Sequence, residues 1–301
     1  MKNIDEYLDE KRSIGPRSAK GTIDYNYQNW HNFMNYFSWL TVNDQRFADV
    51  CIPNYHIRFN GWKYMATILI RCDGDRDGDR DGDRDGDRDG DRDGDRDGDR
   101  DGDRCVLAER FKKKRLGVGC VSIGDDGTID RDGRRIGRES RFVVFSVMVF
   151  RSKSDLLGHQ NALLLDRELK TVERFEPHGH NTYFAGDTPE RSIAIGRQVN
   201  RLLCLIIKQH FPTGYRYVEP SEYMSSPTGI QLKSDLFNGM CITWCMIYIH
   251  LRIINEHKSP RNVYQYLRRK TKPELEELCS KYARKVERTL KRHKIQYENS
   301  L

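Results

Sequence analysis

The most regular apolar pattern lies between residues 140 and 180. SRFVVFSVMVF (140–150) is a continuous β-branched and aromatic run, the mark of a strand buried on both faces. GHQNALLLDRELKTVERFEPHG (158–179) follows, with two short apolar runs around a polar turn near Asp166 to Leu169, which predicts a β-hairpin. Its ends are unusual. A His and an Asn open the first strand, and a Glu, a Pro and another His close the second.

Upstream, Tyr25, Tyr27, Trp30, Phe33, Tyr36, Phe37 and Trp39 recur at spacings near three and four, so residues 22–47 predict a helix packed on the core. IRFNGWKYMATILIRC (57–72) predicts one or two strands. Downstream, Thr188 offers an N-cap with Pro189 at the first helical position, leading into the amphipathic IAIGRQVNRLLCLIIKQHF. YRYVEP (215–220) reads as a short strand, the next segment as a loop containing Gln231, and NGMCITWCMIYIHLRII (238–254) as a mostly apolar helix. Two more helix starts stand at Ser259-Pro260 and at Thr271 to Pro273. The sum is an α+β chain with a central, mostly antiparallel sheet and flanking helices.

Composition changes that picture in one place. Residues 73–104 are eight uninterrupted copies of Asp-Gly-Asp-Arg. Taking the repeat's 8 Arg from the chain's 52 basic residues and its 16 Asp from the 45 acidic ones leaves 44 against 29, a net of +15 on the remainder. A basic body favours acidic partners such as nucleic acid or an acidic protein surface. The repeat contains D-x-D-x-D-G-x-x-D, which is similar to a calcium loop, because alternate carboxylates can converge on one hard cation. However, no bidentate Glu closes such a loop, no helices flank it, and each Asp has an Arg nearby. Without an apolar residue the segment cannot offset its ordering entropy, so a disordered insertion is expected. The domains then read as an N-terminal helical extension (1–56), a core (57–256) interrupted by the repeat, and a basic helical tail (257–301).

The N-terminus lacks an apolar h-region, and no apolar stretch reaches membrane-spanning length, so an intracellular chain without a membrane partner is expected. The eight cysteines show no paired CxxC spacing, so the expectation is reduced thiols. Cys72 and Cys105 bracket the repeat and could close it as a loop, or could simply end two strands.

The polar ends of the hairpin carry the chemistry. A helix beginning after Asn238-Gly239 puts Cys241 in its first turn, where unpaired N–H groups and the positive end of the dipole favour a thiolate. That nucleophile needs a base, and the base needs an orienting acceptor. His159 opens the first strand and Glu176, 17 residues on, ends the paired one. The turn between them brings both to one sheet edge, where a carboxylate fixes the tautomer of a His. Gln231 could donate its amide to an oxyanion. Asn161 shares a strand face with His159 and is an accessory candidate. Cys245, one turn further on, is the rival nucleophile and is expected to be packed.

These residues resemble a known family. The order His, acidic residue, Gln, Cys is similar to that of the adenovirus-protease (adenain) and Ulp1/SENP-like cysteine proteases. R-F-E-P-H-G (174–179) and N-G-M-C-I-T-W-C (238–245), with H-x-N at 159–161, resemble such proteases of large DNA viruses. The likeness covers about residues 140–256. It implies a papain-like fold of the adenain/Ulp1 type, with His159 as general base, Glu176 as orienting acid, Cys241 as nucleophile and Gln231 as oxyanion donor. It implies no cofactor and no metal, and as substrate a viral structural precursor or a ubiquitin- or SUMO-like conjugate. The chain departs from the family in carrying Gln160 where Trp usually follows the His, and in placing Gln231 ten residues before Cys241.

Other readings remain. His159, His178 and His180 with a Cys could bind zinc, although no paired spacing supports a tetrahedral site. Papain-type enzymes place Cys before His, the reverse of this order. The same triad also serves protein acyltransferases related to the family. A non-enzymatic reading takes the basic body and tail as a nucleic-acid or virion-packing protein.

Overall fold

The computed structural model describes residues 30–52, 55–60, 65–70, 128–129, 135–136, 140–150, 158–180, 188–210, 214–234 and 240–293, with residues 4 and 8. The Asp-Gly-Asp-Arg repeat, with Cys72 and Cys105, lies outside them, and so do the expectations placed on it.

Helix α1 (Trp30–Asn43) carries the described part of the aromatic stripe and buries Phe33, Tyr36, Phe37 and Leu40 on one side; residues 22–29 of the expected helix lie outside the described residues. It stops where Asp44 caps a 3-10 turn by accepting the Arg46 amide. Strands β1 (Val50–Cys51), β2 (Tyr55–Asn60) and β3 (Met65–Ile70) follow. A separate two-stranded ladder joins β4 (Thr128–Ile129) and β5 (Arg135–Ile136).

The main sheet is built on β6 (Phe142–Phe150), buried at eight of its nine positions. Both faces are covered. Val143, Phe145, Val147 and Val149 pack in the cluster of Ile195, Val199, Leu203 and Ile207 from helix α2 (Pro189–His210). Phe142 and Val144 belong to the opposite cluster, dominated by helix α5 (Cys241–Ile254). The predicted hairpin forms as β7 (His159–Asp166) and β8 (Thr171–Phe175). Asp166 Oδ1 accepts the amides of Glu168 and Leu169 at 3.0 and 3.1 Å, which turns the chain, and Lys170 takes the left-handed conformation that closes it. Thr188 caps α2, its hydroxyl accepting the Arg191 amide at 3.3 Å.

Among the described residues seven strands form the sheet, in the order β3-β2-β6-β7-β8-β9, where β9 is Arg216–Val218, with β1 beside β6. The sheet is mixed rather than mostly antiparallel. Hairpin neighbours β2/β3, β6/β7 and β7/β8 are antiparallel, while β1/β6, β2/β6 and β8/β9 are parallel. Long connections explain the parallel pairs: helix α2 lies between β8 and β9, and a crossover of that length lets the chain re-enter the sheet in the same direction.

The segment read as a loop around Gln231 contains two short helices, α3 (Pro220–Tyr223) and α4 (Ile230–Ser234). All fourteen residues of α5 are buried, because the sheet lies on one side and α1, α6 (Pro260–Arg269) and α7 (Lys272–Arg292) on the others. Ser259 caps α6, and Thr271 with Glu274 forms a capping box on α7, the two starts expected from sequence. Both helices turn their basic residues outward and bury Val263, Tyr264, Leu267, Leu275, Leu278, Tyr282 and Leu290 with α1 and α5. Among the described residues no helix is long and apolar enough to cross a membrane.

Candidate active site

The β7/β8 ladder ends at the pair Ala162↔Phe175. Beyond it His159 to Asn161 project on one strand and Glu176 on the other. His159 Nε2 and Glu176 Oε1 meet at 2.5 Å, both buried. Helix α5 brings Cys241, its first residue, to the same place, close enough for its sulfur to act on the His159 ring. With Nε2 held by the carboxylate, Nδ1 is the nitrogen left for sulfur. Met240, at the N-cap, supplies no side-chain cap, and first-turn amides have no intrahelical acceptor.

The electrostatics follow from burial and from the charges alongside. Desolvation opposes charge on His159, but the Glu176 carboxylate and the Cys241 thiol outweigh it and raise the imidazole to about 10. Desolvation likewise disfavours the Glu176 carboxylate, yet the His159 ring, Arg174 and His178 bring it down to about 2. At neutral pH the pair rests as imidazolium and carboxylate.

The turn after Glu176 is held by close backbone packing. His178 donates its amide to Glu176 Oε1 at 3.0 Å and stacks its ring on His159, centroids 4.0 Å apart and planes 22° apart. Gly229 N donates to His178 O at 2.8 Å and Gln231 N to Pro177 O at 3.0 Å, which staples the loop before α4 to this turn. Contact that close needs glycine on both sides. A Cβ on Gly179 would sit 2.0 Å from Pro227 O, and one on Gly229 would sit 2.1 Å from Pro177 O. Gln231 is thereby carried to the site's turn, in a helix and not in a loop. Its side chain is buried, and its Oε1 has no partner among the described residues.

Gln160 points to the other strand face. Its amide donates to Ser146 Oγ at 2.9 Å and to the Asn161 carbonyl at 2.5 Å. Cys245 is fully buried, donates to the Gln160 carbonyl at 3.5 Å, and burial pushes its thiol well above the ordinary range. Cys241, at 8% exposure, is the α5 cysteine that lies beside His159.

Ligand atoms of His159, Glu176 and His178 lie within 4.8 Å of one another, a possible metal cluster in which His180 takes no part. The stacking argues against it. Imidazole lone pairs lie in the ring plane, and two nearly parallel rings 4.0 Å apart do not aim them at one ion.

Sequence reasoning quoted Arg174 inside R-F-E-P-H-G and gave it no role. It is buried, and its Nη2 donates to Glu176 Oε2 at 2.9 Å. An Arg two positions before the acid, on the same face of an otherwise buried strand, was the signal available. No protein-family model matches the chain, and no curated protein sequence matches it either.

Proposed function

We propose that the chain is a cysteine peptidase with a papain-like fold of the adenain/Ulp1 type, cleaving peptide or isopeptide bonds in a protein substrate. The observation that carries the reading is the contiguity of Glu176, His159 and Cys241 at the open end of the hairpin. A carboxylate, an imidazole and a thiol in that row constitute an activated nucleophile.

In this reading His159 holds the proton of Cys241, and the thiolate attacks the substrate carbonyl. The resulting oxyanion is received by first-turn amides of α5 and by the Gln231 amide. His159 then delivers its proton to the leaving amine, and a thioester to Cys241 forms. Water, deprotonated by His159, attacks the thioester, releases the acid and restores the thiol. Glu176 holds the ring orientation throughout and stabilises its charge. The substrate is a structural precursor or a ubiquitin-like conjugate, and the basic outer faces of α6 and α7 supply a surface for an acidic partner.

The test is reaction with ubiquitin, SUMO and Gly-Gly peptide electrophiles, comparing wild type with Cys241→Ala. Covalent labelling of the wild type alone, with turnover of the matching amide substrate, supports the peptidase. Labelling that survives loss of Cys241 overturns the nucleophile assignment. Acetyl-CoA-dependent modification of protein without hydrolysis replaces the peptidase with an acyltransferase.

A further inference from the structure

Arg174 is 1% exposed, and each arm of its guanidinium meets an acceptor on a different element. Nη2 donates to Glu176 Oε2 at 2.9 Å. Nε donates to Asn161 Oδ1 on β7 at 2.6 Å. Nη1 donates to Asn200 Oδ1 on α2 at 2.7 Å, and Tyr217 OH on β9 donates to the same oxygen at 2.8 Å. Even its carbonyl is engaged, accepting Tyr223 OH at 2.6 Å.

Two features separate this from an ordinary buried ion pair. First, the charges alternate along one row: Arg174 positive, Glu176 negative, His159 positive, then the thiol that must become negative. A buried charge is costly unless its neighbours compensate it, and once the thiolate forms the row sums to zero only with Arg174 in it. Second, the row crosses the sheet. Cys241 belongs to the core cluster of α5, whereas Arg174 reaches Asn200 of α2, the helix packed on the opposite face.

We propose that Arg174 is a positioning residue of the catalytic site. By binding Oε2 of Glu176 it leaves Oε1 for His159 Nε2 and sets the ring toward Cys241. Asn161 and Asn200 aim the guanidinium in turn, so helix α2 on the far face helps to set the geometry of the triad. A single ammonium could balance the charge but could not reproduce a fork with three fixed directions. The proposal rests on the peptidase reading and adds to it a residue that never touches substrate.

The experiment needs no substrate. The full chain is alkylated with iodoacetamide across pH 3 to 9, modification at Cys241 is followed by mass spectrometry, and wild type is compared with Arg174→Met, Arg174→Lys and Asn200→Ala. The wild type should alkylate at Cys241 at a rate that falls along an acid limb as the reactive thiolate is lost. Without Arg174 the carboxylate loses a cationic neighbour, so in Arg174→Met the acid limb should rise by about one pH unit or more. Arg174→Lys should recover part of that shift, and Asn200→Ala should show a smaller one in the same direction. A purely structural role would change the melting temperature and leave the limb in place.

An unchanged limb in folded Arg174→Met overturns the proposal. If that variant does not melt cooperatively, Asn200→Ala decides in its place, and an unchanged limb there overturns the proposal equally. A wild type that alkylates at Cys241 only as an ordinary thiol brings down the peptidase reading itself, a result distinct from loss of the Arg174 effect alone.

Discussion

His159 Nε2 and Glu176 Oε1 lie 2.5 Å apart in a buried site, at the open end of a hairpin whose other end is an Asp-initiated turn. The sixteen residues between them fold back as the hairpin and place the two groups side by side.

That contact sets the first expectation. Glu176→Gln keeps the shape but removes the charge that orients and stabilises the imidazolium. Reaction of Cys241 with a peptide electrophile should slow by about 10²-fold or more. A rate within twofold of wild type at neutral pH would remove Glu176 from the mechanism.

Stability should depend on pH through the same pair. His159 is raised from 6.5 to about 10, so its contribution is complete below pH 6.5 and is lost as pH rises toward 10. Glu176 is lowered from 4.5 to about 2, so its contribution is complete above pH 4.5 and is lost as pH falls toward 2. The difference in urea midpoint between wild type and Glu176→Gln should be greatest between pH 4.5 and 6.5 and shrink on both sides. A difference that does not vary with pH would contradict the assigned charges.

The two thiols of α5 should separate cleanly. Cys241→Ala should abolish electrophile labelling and leave the melting temperature near that of wild type. Cys245→Ala should retain labelling but lose stability, by about 1 kcal/mol, since it trims a fully buried side chain. Labelling of Cys241→Ala at Cys245 would reverse the assignment.

Glycine substitutions test how the Gln231 loop is held. Gly179→Ala and Gly229→Ala would each drive a methyl into the facing backbone, and should cost about 3 kcal/mol or more in urea unfolding. Gly214 is a control. Like Gly179 it has a positive φ, but its Cβ would meet only Lys170 Cδ at 3.8 Å. Gly214→Ala should therefore cost about 1 kcal/mol, from backbone strain alone. Equal losses at all three positions would mean that the close approach contributes nothing.

What could be read from the chain was local. The Asp166 turn, the Thr188, Ser259 and Thr271 caps and the apolar run of β6 each depend on residues within a few positions, so the sequence by itself determined where these strands and helices begin. For the same reason it brought His159 and Glu176 together, because a hairpin pairs its own ends. Tertiary structure decided the rest. Parallel pairing of β2 with β6 and of β8 with β9 joins strands that share no turn, and no periodicity encodes it. The glycine contact that seats Gln231 involves residues fifty positions apart, Gly179 and Gly229. Arg174 acquires its meaning only when β7, β8 and α2 are assembled around it, since a guanidinium with three directions needs three elements to answer them.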